Sequence, residues 1–251
     1  MKKTLFSFAL AIATLSASAQ EKTTDSEKTF KPVAGSFATE LNFNPFKGNL
    51  SLNNSLNQIK VRYFVKDELA IRLGVHVSSR DTSINTGTPY GTQSNFVKDD
   101  RKSSTFAINL GIEKHFKGTS RLSPYLGADV TFGSRSSSQE IVNSQITYNI
   151  KNAWMQSVYT SGNPPYYVSQ AVETAYRKFG LTAVAGFDFY MAQNFFIGYE
   201  FNLSYMNTKY KIPETTVTGN VQNNPAPMEG SNESSTFGTS LMNGIRIGYA
   251  F

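Results

Sequence analysis

The sequence predicts an all-β protein: an eight-stranded antiparallel up-and-down transmembrane β-barrel with short periplasmic turns and long outer loops. Three observations carry this reading. Apolar and polar side chains alternate with a period of two, the mark of strands with unlike faces. The links between these stretches run strictly long, short, long, short, long, short, long. Charges recur near mid-strand on the polar face, while the apolar face is rich in aromatics at its ends, as expected for lipid outside and a packed polar lumen inside.

The rule is plainest from Phe179 to Tyr205. Phe179, Leu181, Ala183, Ala185, Phe187 and Phe189 alternate with small or polar neighbours, and after Met191 to Asn194 the pattern restarts at Phe195, Ile197, Tyr199, Phe201, Leu203 and Tyr205. The short link makes the pair a hairpin, strands six and seven. Earlier, Phe37, Thr39, Leu41 and Phe43 mark strand one, and Ile59, Val61, Tyr63 and Val65 mark strand two. After a tight turn at Lys66-Asp67-Glu68, Leu69 to Val77 form strand three, and Phe106 to Ile112 form strand four. Leu122 to Phe132 form strand five, with Leu126, Ala128, Val130 and Phe132 outward and Pro124 near the start, where its missing donor matters least. Leu241, Ile245, Ile247, Tyr249 and Phe251 share one face of the closing strand.

The long connections are expected outside, at about 46–57, 79–103, 134–174 and 209–235, which leaves both termini on the periplasmic side. Within 134–174, Ile141, Ile146, Tyr148 and Ile150 keep a β-like composition. Strands five and six are therefore expected to continue past the membrane as a protruding ribbon. Trp154, Tyr159, Tyr166 and Tyr167 are its candidate contact residues. Pro164-Pro165-Tyr166-Tyr167 matches a short proline motif read by WW domains, but an exported bacterial-type chain has no reason to meet one.

The chain has 251 residues, 39% of them hydrophobic, within reach of one all-β domain. Its mean hydropathy of −0.32 is neutral evidence, because half of each barrel strand is polar. Met1-Lys2-Lys3, apolar Leu5 to Ala13 and Ala17-Ser18-Ala19 are the three parts of a cleavable secretory signal, so residues 1–19 are set aside. Residues 20–35 are polar and mixed in charge and read as a flexible periplasmic leader; 36–251 form the barrel. There is no cysteine, hence no disulfide and no lipoprotein anchor. Lys2 and Lys3 supply two units of the formal +6, and the remaining +4 is spread thinly, so nucleic acid is not an expected partner.

Polar parity aims nine charges inward: Glu40, Lys60, Arg62, Arg72, Glu113, Asp129, Asp188, Glu200 and Arg246. Most lie four to eight residues above a periplasmic turn or chain end, so they share one height. Five acids face four bases, and His76 is expected to partner the fifth acid. At an effective dielectric of about 20 each close pair is worth roughly 4 kcal/mol before desolvation. Eight-stranded interiors are just wide enough for side chains to fill. Inward glycines (Gly74, Gly111, Gly127, Gly186, Gly198, Gly244, Gly248) leave room for Arg and Lys. The cluster reads as a structural plug, with a gated ion or proton path as the sharper alternative.

No metal spacing, phosphate loop or paired catalytic carboxylate stands out, and no cofactor is expected. His76, near Ser78, is expected mid-to-upper lumen on strand three and His115 at the periplasmic end of strand four, so they do not share a site. A catalytic serine-histidine arrangement is not indicated.

The ending Gly244-Ile-Arg-Ile-Gly-Tyr-Ala-Phe251 resembles the last strand of small bacterial outer-membrane barrels of the OmpA/OmpX type, in which apolar residues alternate up to a terminal aromatic. The resemblance implies a Gram-negative cell envelope location and recognition of Tyr249 and Phe251 by the barrel-assembly machinery. The chain departs from OmpA in having no peptidoglycan-binding domain after the barrel, so no wall-anchoring role is carried over. The expected protein is a non-enzymatic, multi-pass, monomeric barrel in outer-membrane lipid. Its outer loops would serve adhesion, binding of an extracellular protein or glycan, or envelope integrity. A narrow solute channel and a lipid-modifying enzyme are the alternatives.

Overall fold

Strand pairing in the computed structural model closes a ring. It describes residues 30–43, 59–88, 95–161, 166–219, 230, 232–241 and 245–251. The expected signal peptide, the leader as far as residue 29, the first outer loop, Pro164, Pro165 and Gly244 lie outside the described residues. Thirteen strands occur among them: β1 (Phe37–Phe43), β2 (Ile59–Lys66), β3 (Leu69–Thr88), β4 (Asn95–His115), β5 (Leu122–Asn143), β6 (Ile146–Lys151), β7 (Trp154–Thr160), β8 (Tyr166–Val172), β9 (Tyr176–Ala192), β10 (Phe195–Tyr210), β11 (Glu214–Gly219), β12 (Asn232–Leu241) and β13 (Ile245–Ala250).

β1 pairs with β2 on one side and with β13 on the other. The antiparallel ladder continues β2–β3–β4–β5–β9–β10, and β10 pairs with β13 through Phe195–Gly198 and with β12 through Phe201–Tyr210. β12 and β13 therefore occupy one place, and the ring has eight. The backbone N–H of Phe37 donates to the carbonyl of Phe251 at 2.9 Å, so the start and end of the ring meet at the end that carries the short turns.

The two faces separate as their alternation predicts. Phe187, Phe201 and Ile247 are 40%, 47% and 38% exposed, whereas Arg62, Glu113 and Glu200 are 0%, 0% and 1% exposed. A water-soluble sandwich would invert these values. The exposed apolar belt meets hydrocarbon and the charges fill the interior.

Above the membrane the structure corrects the expected loops. β3, β4 and β5 are 20, 21 and 22 residues long, about twice the roughly 9–11 residues a tilted strand needs to cross a bilayer. The polar stretch 79–103, expected as a loop, is mostly ladder, with Ser79↔Ser104 through Thr88↔Asn95 in register. Backbone hydrogen bonding does not need apolar side chains, so Ser, Thr and charged residues hold this ribbon in water. The ribbon on 134–174 also differs. β5 does extend, but strand six begins only at Tyr176, and β5 pairs instead with β6 as the chain turns back. β11, inside the expected 209–235 loop, adds to β6. β7 and β8 form a separate hairpin.

The leader is also corrected. Phe30 to Gly35 is folded across the periplasmic end: the Phe30 N–H donates to Ser120, Asn194 donates to the Phe30 carbonyl, and Gly35 donates to Phe64. Phe30 packs on Ala38, Phe64, Ala70, Tyr190, Phe196 and Ala250, an apolar floor beneath the charges.

The lumen ion-pair cluster

Alternation on eight strands brings all nine predicted charges into the lumen, each at most 9% exposed. Arg62 on β2 meets Glu40 at 3.2 Å, Glu113 at 2.9 Å and Asp188 at 2.6 Å. Arg72 on β3 meets Glu113 at 3.1 Å, Asp129 at 3.1 Å and Glu200 at 3.0 Å. Arg246 on β13 meets Glu40 at 3.3 Å and Glu200 at 3.0 Å, and also pairs with Asp188. Lys60 contributes a contact to Glu200 at 3.2 Å. Each guanidinium is thus shared among three carboxylates from different strands, which ties the ring across its diameter.

Glycines make the space. A Cβ on Gly111 would overlap the Asp129 carboxylate, and one on Gly198 would lie 2.6 Å from Asp188 and 3.2 Å from Arg246. Burying so many charges is costly unless the geometry pairs them, and here it does.

Two corrections concern the histidines and the outer aromatics. His76, expected in the cluster, is exposed above it. The histidine built into the cluster is His115, whose Nε2 lies 3.1 Å from Glu113 and whose Nδ1 lies 2.9 Å from the Ser123 hydroxyl. Trp154, expected as a loop contact, is 5% exposed, and its indole donates to the Lys102 carbonyl at 3.0 Å. It anchors the β7–β8 hairpin, whereas Tyr159, Tyr166 and Tyr167 are 59%, 56% and 73% exposed. Tyr249 and Phe251 are exposed on the outer face.

Sequence reasoning missed the aromatic members of the interior. Tyr125 donates to Glu200 at 3.0 Å, and its ring lies 5.0 Å from the Arg246 guanidinium. Phe196 takes the Arg62 guanidinium 4.7 Å over its ring. Their parity was the available signal: both alternate with outward residues, yet an apolar side chain in a polar lumen does not announce itself.

With this geometry in place, comparison with known proteins gives a family. The sequence matches the OmpA-OmpF-like porin family over residues 43–219, more than half of the chain. The chain belongs to that family. No curated protein matches it. Among solved structures it is similar to the N-terminal β-barrel domain of Pseudomonas aeruginosa OprF, at 14% identity and a TM-score of 0.30, over 88% of this chain and all of that one. This porin-family member is an outer-membrane β-barrel protein, crossing the bilayer many times by strands.

Proposed function

We propose that this porin-family barrel is non-enzymatic and monomeric, that its lumen is a structural plug, and that its outer loops carry its specific role through adhesion, partner binding or envelope integrity. The observation that carries the plug is the sharing of Arg62, Arg72 and Arg246 among five buried acids. A lumen filled at that height leaves the outer surface as the part that meets other molecules. Tyr159, Tyr166 and Tyr167 on the β7–β8 hairpin are the contact residues for an extracellular protein or glycan. During biogenesis the exported chain, its signal cleaved, is read by the barrel-assembly machinery at Tyr249 and Phe251, then stays in outer-membrane lipid.

Ser123, His115 and Glu113 line up as a hydrolase triad does, but all three are buried at 3%, 3% and 0% exposure above the apolar floor. Glu113 is also held by two arginines. A substrate has no route to the serine, which supports a structural role for this line.

The family's porin name favours a second reading, a narrow solute channel. Planar-bilayer recording separates the two. The plug predicts no steady conductance from the folded protein, and reproducible single-channel steps would replace it with the channel.

A further inference from the structure

At the outer edge of the belt, β5 parts from β9. The two strands pair as far as Arg135↔Tyr176, and β5 next pairs with β6 at Ser138↔Lys151. A cleft of about 250 Å³ opens at this parting, lined by Phe106, Ser134, Arg135, Ser136, Arg177 and Lys211 among others.

Its height is fixed by the belt. Arg177 stands two residues above Phe179, which is roughly 7 Å along a strand. The Phe179 and Phe132 rings lie 5.4 Å apart, and Phe106, Phe132 and Phe179 are 47%, 49% and 40% exposed on the lipid side. The cations therefore sit where hydrocarbon gives way to headgroups.

Its charge is not balanced within the fold. Arg135 is held by Glu173 at 2.8 Å and stacks 5.0 Å from the Tyr176 ring, and the same Glu173 lies 3.6 Å from Arg80. The neighbouring Lys209 has Glu233 at 3.7 Å. Arg177 and Lys211 are exposed, and among the described residues neither has a carboxylate within salt-bridge distance.

Resting on the membrane reading above, we infer that this cleft binds the phosphate-bearing headgroup of an outer-leaflet lipid. The Arg177 guanidinium takes two phosphate oxygens side by side, and the Lys211 ammonium adds a third contact. The Ser134 and Ser136 hydroxyls donate to the headgroup, and the acyl chains descend over Phe106, Phe132 and Phe179. A free phosphate would find the cations but gain nothing from the aromatic belt.

Native mass spectrometry of the folded protein in uncharged detergent tests this. The probes are a phosphorylated acylated glucosamine disaccharide, the same lipid without its phosphates, and inorganic phosphate. The phosphorylated lipid is expected to bind at least tenfold more tightly than the dephosphorylated one. The Arg177→Gln/Lys211→Gln double variant should lose about tenfold, whereas Lys114→Gln, at the opposite end and paired with Glu68, should lose nothing. Equal binding by the double variant and the parent, or of the two lipids, overturns the site. So does inorganic phosphate competing at the same concentration as the lipid. Heat-modifiability on a gel, run on each sample, reports the barrel separately. A chain that stays monodisperse in water without detergent removes the membrane reading and the site with it.

Discussion

Arg62 and Arg72 stand directly opposite each other on β2 and β3, and a single carboxylate, Glu113, holds both, with Oε1 2.9 Å from one and Oε2 3.1 Å from the other. Like charges facing across a ladder repel, so the pairing of β2 with β3 depends on an acid delivered from β4. Glu113→Gln keeps the shape and removes the charge. It is expected to destabilise the barrel by about 3–5 kcal/mol, because two buried cations lose a shared partner. Urea unfolding in lipid vesicles, followed by fluorescence of Trp154 and the tyrosines, measures the loss.

The lipid face makes the opposite demand. Leu73 is 37% exposed in the belt, next to Arg72, which is 3% exposed. Leu73→Arg should cost roughly 2–4 kcal/mol by placing a charge in hydrocarbon. The same unfolding assay checks it, and Leu73→Ile should be close to neutral.

The periplasmic floor gives a third test. The Phe30 ring lies 4.1 Å from the Arg121 guanidinium and closes the apolar layer. Phe30→Ala should lower stability by about 1–2 kcal/mol, from lost burial and lost cation–π attraction. Hydrogen exchange should quicken at the amides of Gly35 and Asn194, which this segment's bonds protect.

The hairpin gives a fourth. Trp154→Ala removes the anchor on Lys102 without touching the lumen. Limited proteolysis should then cut within residues 154–172 much faster, while the barrel keeps its heat-modifiable band.

The barrel was legible in the sequence because parity is a local property. Phe187 faces lipid and Asp188 faces the lumen whatever their neighbours do. The nine charges were legible for the same reason, and counting from each turn placed them at one height. Partners were less so. The sequence puts His115 at the end of strand four and His76 near the cluster, but His115 stands two residues from Glu113 on β4, so alternation along that one strand turns both side chains to the same face, while His76 lies exposed above. The outer ribbons were hidden because Ser79 to Ser103 carries no apolar stripe: its ladder rests on backbone bonds between neighbouring strands, and those leave no mark on side-chain pattern. Phe30 was hidden because one aromatic in a polar segment is a weak signal until the floor it covers is known.

The measurement that bears most directly on the account is oxygen accessibility along β9 and β10. The chain has no cysteine, so single-cysteine variants from Phe179 to Tyr205 can be spin-labelled and folded into vesicles. The account predicts a period of two, with Phe187→Cys and Phe201→Cys colliding freely with dissolved oxygen and shielded from a water-soluble nickel complex, and with the alternate positions shielded from oxygen. Labels at Phe187 and Phe201 that were reached by the nickel complex, or an accessibility without alternation, would contradict it.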